Sequence, residues 1–113
     1  FEALLDYNWT AEAITNVLDN AVKYTPNGGL VGLEITEYPS YLRLDISDNG
    51  IGIPEEEQAK IFGRFYRGKQ SAGIDGVGIG LYLTRDIIKK QSGYIKVISD
   101  KNGSIFSLFL KKQ

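Results

Sequence analysis

Glu12, Asn16, Asn20, Lys23 and Tyr24 are spaced so that a helix would gather them on one side. If residues 10–24 are helical, each turns by about 100°, and the five side chains fall within roughly 120° of one another. An acid, two carboxamides, an ammonium and a phenol make an unusual helix face, since a solvated face more often mixes Glu and Lys at i, i+4 spacing. The carbonyl oxygens of Asn16 and Asn20 could serve Mg²⁺, a hard cation that keeps several waters and bridges phosphates. Glu12, one turn earlier, could orient or deprotonate an attacking nucleophile. Taken alone, an ordinary polar face is the simpler reading.

Asp48 is the second group with chemical potential. It follows Leu42, Leu44 and Ile46 at period two, which points a carboxylate toward the apolar side of a strand, at the mouth of the turn Asp48-Asn49-Gly50-Ile51-Gly52. An ionised carboxylate only accepts hydrogen bonds, and a buried one needs them. Either it caps its own turn at Asn49-Gly50, or it accepts from a ligand's amino group, for which adenine's exocyclic amine would fit. A second glycine cluster, Gly76-Val77-Gly78-Ile79-Gly80, leads into a helical pattern. Glycines let a backbone approach a ligand closely, and free N–H groups at a helix start attract phosphate. By itself that pattern is weak, and it lacks the spacing of the dinucleotide fingerprint.

Residues 63–70, Gly-Arg-Phe-Tyr-Arg-Gly-Lys-Gln, nearly match a P-loop. Gln70 stands where the Mg²⁺-binding hydroxyl belongs, and no helix pattern follows, so the match is rejected. Arg64, Arg67 and Lys69 still gather positive charge beside Phe65 and Tyr66. Guanidinium groups match phosphate geometry, so such a loop could fold over a triphosphate, or it could simply be solvated. Together these signals describe one site: an acid for a base, carboxamides for Mg²⁺, glycines and cations for phosphates.

The elements that must position these groups follow from periodicity. The first helix is expected over 10–24, capped by Thr10 or Asn8, with Glu12 in its first turn and Ile14, Val17, Leu18, Ala21 and Val22 inward. Thr25 and Pro26 with Gly28-Gly29 stop it. Residues 30–38 and 41–48 read as a hairpin around Pro39-Ser40. A short helix with Pro54 at its start and acids in its first turn runs to about 62. Residues 63–80 read as a long mobile loop. A third helix over 81–91 turns Leu81, Thr84, Ile87 and Ile88 inward, with Gly93 past its end. Residues 94–99 and 104–110 form a second hairpin around an Asn-Gly turn.

The 113 residues suit one domain with a single core, and 42% hydrophobic with 24% charged residues is ordinary for a globular chain. A net charge of −1 argues against a general nucleic-acid binder. No apolar run reaches a membrane-spanning length of about 18 residues. Without cysteine there is no disulfide framework and no thiolate metal site. Without histidine the chain lacks the commonest general base and any phosphohistidine acceptor.

Set side by side, four segments resemble the boxes of sensor histidine kinases. Trp9-Thr10, Glu12, Asn16, Asn20, Lys23-Tyr24 and Pro26 resemble the N box, and Asp48 to Pro54 the G1 box. Ile61-Phe62 with Arg64-Phe65-Tyr66-Arg67 resemble the F box, and Gly76 to Leu81 the G2 box. They stand in family order over essentially the whole chain.

The resemblance implies one catalytic and ATP-binding domain over 1–113 with the Bergerat fold. That is an α+β, two-layer α/β sandwich whose mixed, mostly antiparallel sheet is covered on one face by about three helices. It implies that Asp48 accepts from adenine and that Asn16, with Asn20, handles Mg²⁺ and phosphates. Lys23, Arg64 and Arg67 become phosphate contacts, and Tyr24 flanks adenine or ribose. Gly50, Gly52, Ile53, Phe62, Val77, Ile79 and Leu81 join the glycines of the second cluster around ATP, with residues 62–80 as its lid. Glu12 would help activate an acceptor histidine, and catalysis of γ-phosphoryl transfer would be largely positioning and charge stabilisation.

That histidine would lie on a separate dimerisation helix domain, so this chain is expected to bind ATP without phosphorylating itself. It begins without Met, as a fragment of a larger kinase would. The expected setting is the cytoplasmic side of a membrane-anchored bacterial sensor, with a response regulator downstream and no direct contact with membrane or nucleic acid. Phe62, Phe65 and Tyr66 are expected to form the apolar surface that docks the helix domain. In one departure from the family, Ile105 stands where a Thr is common, which is expected to remove a hydroxyl near the adenine. Lys111-Lys112 also replace a usual closing Pro. The alternatives are an ATPase or anti-sigma serine kinase of the same superfamily, against which the F box argues, and a docking module without turnover.

Overall fold

The computed structural model describes residues 7–26, 28–58, 60–63 and 80–112. Alternating apolar positions dictate its sheet. Strands β1 (Val31–Glu37) and β2 (Tyr41–Asp48) pair antiparallel, with Leu33 opposite Ile46 and Ile35 opposite Leu44. Strands β3 (Tyr94–Asp100) and β4 (Gly103–Lys111) form the second antiparallel hairpin. β4 also lies antiparallel to β2, so the order is β1-β2-β4-β3. The expected hairpins and sheet are present, and every pairing among the described residues is antiparallel.

One face of this sheet carries Leu42, Leu44 and Ile46, then Phe106, Leu108 and Leu110, then Ile95 and Val97. Helices α1 (Tyr7–Tyr24), α2 (Glu55–Gln58) and α3 (Gly80–Lys90) accompany it. Ala13, Val17 and Ala21 of α1 and Ile87 and Ile88 of α3 join the same core, as do Ile61 and Phe62. Each large side chain so buried contributes about 1.5–3 kcal/mol. The outer face has its own stack, in which Phe109 lies against Tyr94 at 4.3 Å beneath the Arg43 and Lys96 cations.

Two features of α1 differ from expectation. It begins at Tyr7, so Asn8 and Thr10 lie inside the helix rather than capping it, and Glu12 falls in its second turn. The buried Thr10 hydroxyl instead meets the Gln91 amide in the turn just after α3, which donates to it at 3.1 Å. The buried stripe is also rotated toward the alanines. Ala13, Val17 and Ala21 are its centre, Ile14 and Leu18 flank it, and Val22 is 63% exposed. Small side chains at 13 and 21 let α1 approach its neighbours closely, so the alanines win the buried side over the bulkier Val22. The same rotation carries Asn16 and Asn20 to the border of the stripe, where both are half-buried.

The second helix is shorter than expected. Pro54 precedes it and accepts from Glu57 N–H at 2.9 Å, and beyond Gln58 the chain continues in tight turns, Lys60 N–H to Glu57 O and Gly63 N–H to Lys60 O, each 2.9 Å. α3 ends in a left-handed residue, but this is Ser92 (φ 64°) rather than Gly93. Ser92 N–H bonds Lys89 O at 3.1 Å and Gly93 N–H bonds Ile88 O at 3.0 Å, the two bonds of a Schellman cap. Among the described residues no helix is long and apolar enough to cross a membrane.

Candidate functional site

At one end of the inner face the apolar rows turn polar. Cross-strand pairing sets Asp48 of β2 opposite Ser104 of β4, and Ser104 opposite Ser99 of β3. All three continue the inward register of their strands, Asp48 as the alternation of β2 predicts. One oxygen of Asp48, Oδ1, accepts the Gly50 N–H at 2.9 Å, so the carboxylate does cap its own turn. Its other oxygen has no donor among the described residues, although a carboxylate has room for several. Capping its own turn therefore leaves the second oxygen of Asp48 available. Asn49 tethers the same turn to the chain before β1, its Oδ1 accepting from Leu30 N–H at 2.8 Å.

Two glycines make the end of the site passable. Gly52 has φ 75°, and a Cβ there would sit 1.8 Å from the Asp100 carbonyl oxygen. Gly103 has φ 133°, and its Cβ would sit 2.0 Å from the Asp48 carbonyl oxygen. The turn after β2 and the β3–β4 hairpin therefore touch backbone to backbone. Ser99 Oγ accepts from Ile53 N–H at 2.7 Å and donates to Gly103 O at 3.1 Å, and it lies 2.8 Å from Ser104 Oγ. Gln58 Nε2 donates to Ile53 O at 2.9 Å and to Ser99 O at 3.1 Å.

Ser99, Ser104 and Gln58 were not among the residues the sequence singled out. The two serines carried a readable signal, a hydroxyl at an inward strand position beside Asp48. The departure at Ile105 loses its consequence, because residue 105 lies on the outer register, 39% exposed, and the hydroxyl opposite Asp48 belongs to Ser104.

On the helix side, Asn16 has a buried amide nitrogen with no hydrogen-bond partner among the described residues. A buried donor left alone costs about 1–3 kcal/mol. The carboxamide's two ends can be exchanged, which would set an oxygen in the same place. Asn20 is half-buried and Glu12 exposed. Lys23 and Tyr24 occupy the last turn of α1, and Gly80 opens α3 with Leu81 half-buried against the core. Ile53 is half-buried on the same core. Phe62 is interior, its ring edge-on to Phe106 at 6.3 Å with the Arg85 guanidinium 5.8 Å from its centroid. At 8% exposure it offers little of the expected docking surface. Arg64, Phe65, Tyr66, Arg67, Lys69, Gly76, Val77, Gly78 and Ile79 lie outside the described residues. Among the described residues no group of His, Cys, Asp and Glu could by itself hold a metal ion.

The site therefore offers hydrogen-bond acceptors at the sheet end and a carboxamide with unused capacity on α1. Comparison with known proteins gives this a context. The sensor histidine kinase Hik2 of Synechocystis sp. (strain ATCC 27184 / PCC 6803 / Kazusa) is 42% identical over 115 residues, covering 88% of this chain and 26% of that protein. The chain thus spans between about a sixth and about a quarter of the length of the curated relatives it matches. Among solved structures, a mycobacterial sensor histidine kinase, MprB, superposes with a TM-score of 0.91 at 31% identity, over 98% of this chain and 77% of that one. Full-length ShkA in complex with AMPPNP shares the fold, with a TM-score of 0.83 at 24% identity, over 98% of this chain and 23% of that one. Residues 5–113 match the family described as histidine kinase-, DNA gyrase B- and HSP90-like ATPases, and the chain belongs to that family.

Proposed function

We propose that the chain is the ATP-binding catalytic domain of a sensor histidine kinase, which holds Mg-ATP and donates its γ-phosphoryl group to a histidine on a separate helix domain. The observation that carries this reading is Asp48, inward at the sheet end, with one oxygen fixed by Gly50 N–H and the other without a donor among the described residues. Such an acceptor suits the exocyclic amine of adenine and would meet a carbonyl, as in guanine, with repulsion.

An adenine nucleotide fits the residues present. The orphaned Asn16 amide is a polar group awaiting a partner, and Gly52 and Gly103 keep the backbone close where any side chain would intrude. Carboxamides and phosphate oxygens, with water, form the hard-oxygen shell Mg²⁺ prefers. Asn16 and Asn20 would hold the ion. Lys23, Arg64 and Arg67 would hold phosphate charge, Tyr24 would flank the nucleotide, the interior Phe62 would back the site from the core, and residues 62–80 would be the lid. Gly76 to Leu81 would present backbone N–H groups to phosphate at the start of α3. Glu12, exposed on α1, would face the incoming imidazole and orient it. ATP supplies the transferred group, and the protein's part is positioning and charge stabilisation.

Hik2, of which this chain covers 26%, is a longer sensor histidine kinase. A His-bearing dimerisation domain of the same polypeptide, a downstream response regulator and a cytoplasmic position in a membrane-anchored sensor fit that reading. The test is phosphotransfer in trans, from γ-labelled ATP to the separately expressed helix domain. Label on histidine that depends on this chain and is lost with Asn16→Asp supports the reading. ATP binding without any transfer would reduce the chain to a docking module.

A further inference from the structure

The hydrogen bonds around Ile53 have a logic that the nucleotide-contacting residues leave unused. Ser99 carries one hydroxyl proton, and Gly103 O, 3.1 Å away, takes it. Its lone pairs then receive Ile53 N–H at 2.7 Å and the Ser104 hydroxyl at 2.8 Å. Gln58 has two amide protons, and Ile53 O and Ser99 O take one each, at 2.9 and 3.1 Å. Both backbone polar groups of Ile53 are therefore held, the N–H by Ser99 of the distant strand β3 and the carbonyl by Gln58 of the helix that follows the turn. Ser99 is saturated, and every bond closes within the cluster.

We propose that Ser99 and Gln58 are positioning residues that brace the Gly50–Ile53 turn and thereby aim the free oxygen of Asp48 at the nucleotide base. The inference rests on the reading of Asp48 as a base acceptor. The linkage is short. Asp48 Oδ1 takes its direction from Gly50 N–H, and Gly50 sits on a turn whose far end is fixed at Ile53. Gly52, at φ 75° against the Asp100 carbonyl, adds no side chain at the middle of the turn, so the packing of Ile53 and its two backbone ties hold the far end. Without the brace the carboxylate still exists but its orientation is no longer set in advance, and a ligand must fix it on binding.

The test compares wild type with Ser99→Ala and Gln58→Glu, which removes both donors at nearly constant shape, and with Ser99→Thr, which keeps the hydroxyl. Amide hydrogen exchange at Ile53 and binding of adenosine, ADP and ATP by NMR titration are read well below each variant's melting temperature. Ser99→Ala and Gln58→Glu should speed Ile53 exchange at least about tenfold. They should weaken adenosine, ADP and ATP by the same factor, about tenfold, since only the base end is touched. Ser99→Thr should restore both.

Faster exchange with unchanged adenosine affinity would mean a structural tie only and would overturn the inference, as would a loss confined to ATP. Wild type that binds no adenine compound would remove the Asp48 reading itself, and this inference with it. Should Ser99→Ala not fold, Gln58→Glu decides.

Discussion

Asp48→Asn separates the cap that the Asp48 carboxylate makes from the base recognition proposed for it. In the folded chain Oδ1 accepts from Gly50 N–H at 2.9 Å, and Gly50 is buried. Asparagine retains an Oδ1 acceptor, so the turn keeps its bond, weakened only by loss of charge, and stability should fall by less than about 1 kcal/mol. Alanine removes the acceptor and strands a buried N–H, at about 1–3 kcal/mol. That lowers the melting temperature by roughly 4 °C or more in a domain of this size. Binding should behave differently. In Asp48→Asn the second oxygen becomes an amide donor facing the donor amine of adenine. A charge-assisted bond worth about 1.5–3 kcal/mol is lost and two donors oppose each other, so ADP affinity should drop about a hundredfold or more. Alanine should lose a similar factor. Thermal unfolding and calorimetric titration of the three proteins together form the assay. Asp48→Asn binding ADP like wild type, or melting as low as Asp48→Ala, would refute the division of labour between the oxygens.

Gly52→Ala forces a side chain into φ 75° and a Cβ to 1.8 Å from the Asp100 carbonyl oxygen. It should destabilise by at least about 2 kcal/mol, read by urea unfolding. Ser92→Gly relieves the left-handed cap of α3. It should stabilise by about 0.5 kcal/mol, a melting point roughly 2–4 °C higher, whereas Gly93→Ala meets Phe109 O at 2.2 Å and should destabilise. The Glu37 carboxyl is held below its ordinary value chiefly by the hydrogen bond from Lys112 Nζ. A depressed folded-state pKa gives stability that is present above the unfolded value, about 4.3, and fades as pH falls through the folded one. Lys112→Ala should move the Glu37 titration up by NMR and flatten that acid limb.

How much of this was legible in the sequence depends on which physical rule decided each element. Period two located both hairpins to within a residue or two and turned Asp48 inward, because alternation is a property of the strand itself. The rotation of α1 was not legible. Ala13 and Ala21 carry little hydropathy, and only the close approach of neighbouring elements makes them the buried stripe in place of Val22. Glu55 to Phe62 has the composition of a helix start, but the chain leaves the helix after Gln58 and follows single turns into the core at Ile61 and Phe62. Phe62 as core rather than surface is a tertiary outcome. The brace was invisible for the same reason: Ser99 meets Ile53 and Gln58 only once β3 lies beside the turn. Ser99 and Ser104 were within reach, since polar residues at inward register near a turn had already drawn attention at Asp48. The four boxes were legible as a resemblance, and the family match over residues 5–113 agrees with it.

The central claim is that the sheet end around Asp48 selects adenine. The direct measurement is calorimetric titration of the chain with ATP and with GTP, in the presence and absence of Mg²⁺. ATP bound at least about a hundredfold more tightly than GTP, with Mg²⁺ changing the ATP affinity, is the predicted result. Equal affinity for both nucleotides, or no binding to the folded chain, would contradict it.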